Sequence, residues 1–213
     1  MGDSEELVHD LIGRLPIIRR IQDAMWGGAQ PVDTRLSVDE ALEFIRREWN
    51  CQIDVRLVPF SGHHLVSLVE RRAEDRFLIA VREDAPLVER RFGVVKELCH
   101  IVGDEPDDYQ PHGEKTLAGI LVKEAYSLYD KTLELGGGFV GVTSEKRAER
   151  MAEELMYDHR LRLKDSIRVK KNELSLTELA SKYGVSHGLV ARVTRPLAME
   201  LMGDFWRVAE KQG

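Results

Sequence analysis

Arg91-Phe92-Gly93-Val94-Val95-Lys96-Glu97-Leu98-Cys99-His100 decides how the rest of the chain is read. Val88, Phe92, Val95 and Cys99 recur three to four residues apart, so the segment after Pro86 predicts a helix with one apolar face. Residues four apart on a helix share a face. In the pattern His-Glu-x-x-His two imidazoles therefore converge on one metal ion, and the Glu stands beside the metal-bound water as general base. Here Glu97 and His100 keep that spacing, while Lys96 stands at the first imidazole's position.

Working upstream, Phe77–Val81, Leu65–Val69 and the alternating Ile53–Val58 read as three strands, expected to form a small antiparallel sheet. Arg71–Asp75 suits a solvated hairpin loop. Before the strands, Ser37-Val38-Asp39-Glu40 has the form of a capping box, opening a helix that buries Ala41, Leu42, Phe44, Ile45 and Trp49. The first helix is expected from Ser4 to about Gly13 and a second from Pro16 to about Trp26, with Gly27–Pro31 as linker.

Downstream the pattern is mainly helical. Thr116 to about Leu133 forms one candidate helix, closed by Gly136–Gly138, and Phe139–Val142 is an extended stretch or a connector. Thr143 or Ser144 caps a helix reaching about Leu163. Two short helices lie within Ser175–Thr194, and a last one follows Pro196, with Leu197, Leu201 and Phe205 in one row and Met202 and Trp206 in another.

The chain has 213 residues, 43% hydrophobic and 32% charged, enough for a core and typical of a soluble protein. Two cysteines, Cys51 and Cys99, supply neither a disulfide framework nor a cysteine-rich zinc site. The acidic start Met1–Glu6 is unlike a signal peptide, and no apolar run approaches the roughly 20 residues that span a bilayer. A cytoplasmic location and no membrane partner are expected.

At this point the chain resembles the ImmA/IrrE family of zincin-fold metallopeptidases. The resemblance rests on the Arg91-Phe92 lead into Lys96-Glu97-Leu98-Cys99-His100, preceded by a helix and three strands, and on Glu145–Met156, which matches the stretch bringing the family's third zinc ligand. It covers roughly residues 31–195. It implies Glu97 as the catalytic Glu, His100 as a zinc ligand and Glu145 as the Glu ligand. Lys96 falls where the family has its first His, Glu149 where it has Asn, and Met151 where it has Phe. The family's active members cleave repressors of the phage type, so a protein partner, such as a transcriptional repressor, is implied.

Lys96 puts the metal in doubt on physical grounds. An ammonium about 4 Å from a divalent ion costs about 8 kcal/mol at an effective dielectric near 20. Deprotonating it at pH 7 instead costs about 4.6 kcal/mol. The expectation is that Lys96 takes the metal's electrostatic place, bridging toward Glu145 with His100 nearby, in a protein without metal or hydrolytic activity. The alternative keeps zinc on His100 and Glu145, with Glu97 as base and Lys96, His63, His64 or His112 as substitute ligand. Cys99, beside the motif but on its apolar side, is expected to be a core thiol.

Leu176–Val193 has the pattern of a helix-turn-helix, with Gly184 at the turn and Ser186 as cap. In a DNA reader its second helix would present His187, Gly188, Ala191, Arg192 and Arg195. The net charge of −6 taken whole opposes nucleic acid, but Arg160–Leu197 carries nine basic residues against three acids. That segment is +6 and the remainder −12, so DNA stays open as a partner through residues 160–197.

The expected organisation is α+β: a helical extension over 1–30, a mainly helical zincin-like domain with a three-stranded antiparallel sheet over 31–165, and a helix-turn-helix module over 166–213. The expected function is transcriptional or stress regulation through protein binding, with a degenerate peptidase site. An active zinc peptidase and a DNA-binding regulator are the alternatives.

Overall fold

The computed structural model describes residues 3–27, 35–60, 66–104 and 140–212. The linker at 28–31, His63, His64, His112, the helix expected over 116–133 and the glycines at 136–138 lie outside these residues.

The apolar run Phe77–Val81 dictates the sheet. All five residues are buried, which a strand achieves only when neighbours flank it and both faces are covered. The strands are β1 (Gln52–Val58), β2 (Ser67–Ala73) and β3 (Arg76–Arg82), in the order β1–β3–β2. β2 and β3 pair antiparallel, with Ser67 opposite Val81 and Val69 opposite Ile79. β1 pairs with β3 in parallel, Ile53 opposite Phe77 and Val55 opposite Ile79. The sheet is therefore mixed, not the antiparallel one expected.

A simple meander would set β2, with Glu70, Arg71 and Arg72, at the centre and leave the apolar run on an edge. Centring the run requires the chain to cross from β1 to the far side of β3, which makes β1 and β3 parallel neighbours. The hairpin loop is also shorter than expected. Only Glu74-Asp75 turns, and Arg71–Ala73 continue the strand with a register irregularity.

Eight helices occur among the described residues: α1 (Asp3–Trp26), α2 (Val38–Glu48), α3 (Leu87–Gly103), α4 (Val140–Met156), α5 (His159–Lys170), α6 (Leu176–Tyr183), α7 (His187–Val193) and α8 (Pro196–Gln212). None is long and apolar enough to cross a membrane.

Two helix boundaries differ from the sequence expectation. Pro16 lies inside α1 instead of opening a second helix. The pyrrolidine removes one backbone hydrogen bond, but Pro16 faces solvent while Leu11, Leu15, Ile18 and Ile21 bury one continuous stripe across it. The helix expected to run to about Leu163 is instead α4 and α5. Asp158 separates them, its carboxylate accepting the Arg160 N–H at 2.7 Å as an N-cap. At the other end, Val140–Val142 already belong to α4.

The short helices α6 and α7 are cut cleanly by their ends. Ser175 and Glu178 form a reciprocal capping box at the start of α6. Gly184 ends it at φ +62°, the left-handed region that favours glycine, and Ser186 caps α7 by accepting from the Leu189 N–H.

The main core joins Ile18 and Ile21 of α1, Ile45 of α2, Ile53, Ile79 and Val95, Met151 and Leu155 of α4, and Tyr183 and Val190 of α6 and α7. It is thus continuous across residues 30 and 165. A smaller cluster of Leu15, Met202, Trp206 and Ala209 fastens α8 to α1.

The position of α3 over the sheet depends on Gly93. A Cβ there would lie 2.8 Å from Ser67 Oγ and 2.9 Å from Ser67 Cβ, closer than real side chains approach. The bare glycine lets α3 settle on β2 and brings Glu97, one turn on, within reach of the same serine. Gly93→Ala is expected to lower stability by about 1–3 kcal/mol through overpacking against the strand. Urea denaturation would measure this, and an unchanged midpoint would show that α3 does not rest on Ser67.

Candidate functional site

The helix α3 places Lys96 and His100 four residues apart on the side turned toward the first turns of α4. Lys96 Nζ donates to Glu145 Oε2 at 2.8 Å and lies 3.2 Å from Glu97 Oε1. His100 Nε2 lies 3.2 Å from the other oxygen of Glu145. Thus Glu145, half exposed at the start of α4, receives an ammonium on one oxygen and an imidazole on the other. Glu97 is almost fully buried, and its Oε1 also accepts from Ser67 Oγ at 2.7 Å.

A second layer continues from His100. Its Nδ1 is 2.6 Å from Asp104 Oδ2, and Ser144 Oγ donates to the same oxygen at 2.8 Å. Asp104 also pairs with Arg147, whose other arm reaches Asp10 of α1. The chain of charges therefore ties α1, α3 and α4 together.

These contacts set the protonation states. Burial opposes charge on His100, but the Asp104 and Glu145 hydrogen bonds and the Glu97 charge outweigh it and raise the imidazole to about 9. Burial likewise opposes charge on Lys96, and Glu97 and Glu145 overcome it, holding the ammonium above its ordinary range. Burial would raise Glu145, yet His100 and Lys96 hold it well below the usual carboxylate range.

Among the described residues, a cation stands where the first zinc ligand is expected. A ligand needs an available lone pair, whereas the Lys96 nitrogen is engaged by the carboxylates of Glu145 and Glu97. Glu97, the residue in the general-base position, has its Oε1 engaged by Ser67 and Lys96. The Cys99 thiol is buried, and burial followed by the Asp104 and Glu97 charges pushes it far up, so it stays protonated in the core. Met151 is a fully buried core residue against Gly103.

The residues expected to face DNA are divided. His187, Gly188 and Arg195 are exposed, and Ala191 is half-buried. Arg192 is exposed too, but it pairs with Glu149 at 2.8 Å and with Glu153, both on α4. Glu149 thus acts as an anchor for α7.

A further polar cluster was missed in the sequence. Glu154, Asp158 and His159 each bring one ligand atom to within 4.8 Å of the others, a spacing that could hold a metal ion. Three guanidiniums already answer these acids. Arg162 lies 2.9 Å from Glu154 Oε2, and Arg160 grips Asp158 with Nε and Nη2. Arg19 approaches Asp158 to 3.7 Å while lying over Trp206. Trp206 Nε1 donates to Glu154 Oε1, and His159 stacks on the indole. The run Glu153-Glu154 followed by Asp158-His159-Arg160 was the available signal, but it lay inside an expected unbroken helix.

No protein-family model, curated protein or solved structure matches the chain.

Two outcomes follow from the buried charges. The His100 value is raised on folding, so its contribution to stability is complete below about pH 6.5 and disappears as pH rises through about 9. The wild type should lose on the order of 3 kcal/mol between pH 7 and pH 10 by urea denaturation. His100→Asn should flatten that part of the curve, and an equally steep variant would contradict the assignment. Arg162→Met should cost about 3–5 kcal/mol at pH 7, because it leaves the Glu154 carboxylate buried without its guanidinium. Thermal or urea unfolding would register it, and a loss below about 1 kcal/mol would mean that the pair is not buried in solution.

Proposed function

We propose that the chain is a regulatory protein related in architecture to the ImmA/IrrE zincin-fold peptidases, whose catalytic metal position has been taken over by Lys96. It acts in transcriptional or stress regulation by binding a protein partner, not by hydrolysing it. The observation carrying this reading is the placement of Lys96 Nζ between Glu145 and Glu97, at 2.8 and 3.2 Å. The ammonium stands where the resemblance puts the first zinc-binding imidazole, and it engages the residues in the third-ligand and general-base positions. The remaining ligand candidate, His100, meets Asp104 through Nδ1 and faces Glu145 through Nε2.

The zinc-peptidase alternative requires either that Lys96 lose its proton between two carboxylates that stabilise it or that His63, His64 or His112 serve as ligand in its place. The DNA-binding alternative keeps His187, Gly188 and Arg195 on an exposed face, while Arg192 would exchange Glu149 and Glu153 for phosphate. The protein-binding reading leaves all of these ion pairs intact.

Elemental analysis of protein purified without added metal tests the proposal, in parallel with Lys96→His. The parent is expected to carry no stoichiometric zinc. The variant restores His-Glu-x-x-His and is expected to acquire one equivalent, held by the introduced imidazole together with His100 and Glu145. Stoichiometric zinc in the parent would overturn the reading. A well-folded variant that takes up none would remove the likeness to a peptidase site.

A further inference from the structure

The outer face of α5 combines one sign of charge with exposed aliphatic surface. The helix turns Leu161, Arg162 and Asp165 inward. Leu163, Lys164, Ile167, Arg168, Lys170 and the C-cap residue Lys171 are all exposed. At 3.6 residues per turn these six occupy about 160° of the helix circumference. Leu163 and Ile167, one turn apart, are 49% and 55% exposed.

No acid of α5 itself shares that face. Asp165 is buried, accepting from the hydroxyls of Tyr157 and Tyr183. Asp158 caps the helix, and Glu173 lies beyond its end, 3.7 Å from Arg168.

The helix dipole accounts for part of this pattern, since cations are favourable in a last turn. That explains Arg168, Lys170 and Lys171. It does not explain Lys164 near mid-helix, nor the two half-exposed aliphatic side chains that the cations flank. A merely solvated face usually interleaves both signs and gains from pairs four residues apart. An apolar seam bordered by a single sign instead selects a partner of the opposite sign.

We propose that this face docks an acidic amphipathic helix of a partner protein. Apolar residues of that helix, four apart, cover Leu163 and Ile167, and its flanking carboxylates meet Lys164, Lys170 and Lys171. Nucleic acid satisfies the cations but leaves the two aliphatic side chains against a polar backbone, so a peptide uses more of the surface. This inference rests on the reading that the protein works through a protein partner, and it is separate from the state of Lys96 and His100.

Panning a displayed library of helical peptides against the full-length protein tests it. The expected winners are acidic helices with apolar residues four apart. Their synthetic forms should bind about tenfold or more weakly to Leu163→Ser/Ile167→Ser and to Lys164→Glu/Lys170→Glu/Lys171→Glu. Both variants change only exposed side chains, and an unaltered circular dichroism spectrum and urea midpoint establish that they fold. Winners of basic or neutral composition, or acidic winners that bind both variants as tightly as the parent, overturn the proposal. So does a duplex DNA shift that the lysine variant abolishes when no acidic peptide is selected. Zinc analysis of the same preparations keeps the two readings apart. Zinc in a parent that binds acidic helices through α5 removes the degenerate site and leaves the docking face standing.

Discussion

The Lys96 ammonium, held between Glu145 and Glu97, is the contact on which the arrangement of α3 and α4 depends. Removing such a charge from water costs several kcal/mol, and only well-placed opposite charges offset it. That requirement propagates. Glu145 also meets His100, His100 meets Asp104, and Asp104 meets Arg147, which ends on Asp10 of α1. Each side chain satisfies one neighbour and creates a demand that the next element must answer. The first helix is therefore fixed to the centre of the molecule by charge as well as by Leu11, Ile18 and Ile21.

The same logic is repeated along α4. Glu145, Glu149 and Glu153 are spaced by four and lie in one row, and each is met by a cation from another element: Lys96 of α3, then Arg192 of α7 for the last two. Glu154, on the neighbouring row, receives Arg162 of α5. This helix thus serves as an acidic spine to which the C-terminal helices are keyed. Arg192 is the clearest instance. Its place on α7 suits a phosphate contact, yet its charge is engaged within the fold, which leaves the cations of α5 as the more accessible basic surface.

Elements with a strong period were legible in the sequence, and those decided by distant packing were not. The spacing of Phe92, Val95 and Cys99 placed α3, and the three strands were identified from their apolar runs. Strand order was not legible, because alternation reports which face a residue occupies and not which strand lies beside it. The information lay in the uninterrupted apolarity of Phe77–Val81, a mark of a central strand. The break at Asp158 was hidden for a similar reason. A cap is a local contact of Asp158 with the Arg160 N–H, whereas the apolar period runs on through Met156, Tyr157 and Leu161. In the site, Lys96, Glu97, His100 and Glu145 were individually legible from the motif, but Ser67, Asp104, Ser144 and Arg147 enter through folding alone.

Under the proposed reading, a charge comparison relates this arrangement to one that holds a metal. A zinc ion with two neutral imidazoles brings +2 to the surrounding carboxylates. Lys96 as ammonium, together with a protonated His100, would bring the same +2, distributed over two side chains that the backbone already holds in place. The carboxylates of Glu97, Asp104 and Glu145 all have cationic or imidazole partners, which hold the two helices together. The chemistry differs sharply, however. An ion can keep an open coordination position where water is polarised, while an ammonium and an imidazolium offer only donors already committed to carboxylates. Exchange of one imidazole for an ammonium would thus preserve the architecture and remove the reactive water, turning a catalytic constellation into a structural fastening and leaving function to the surfaces that the fastening positions.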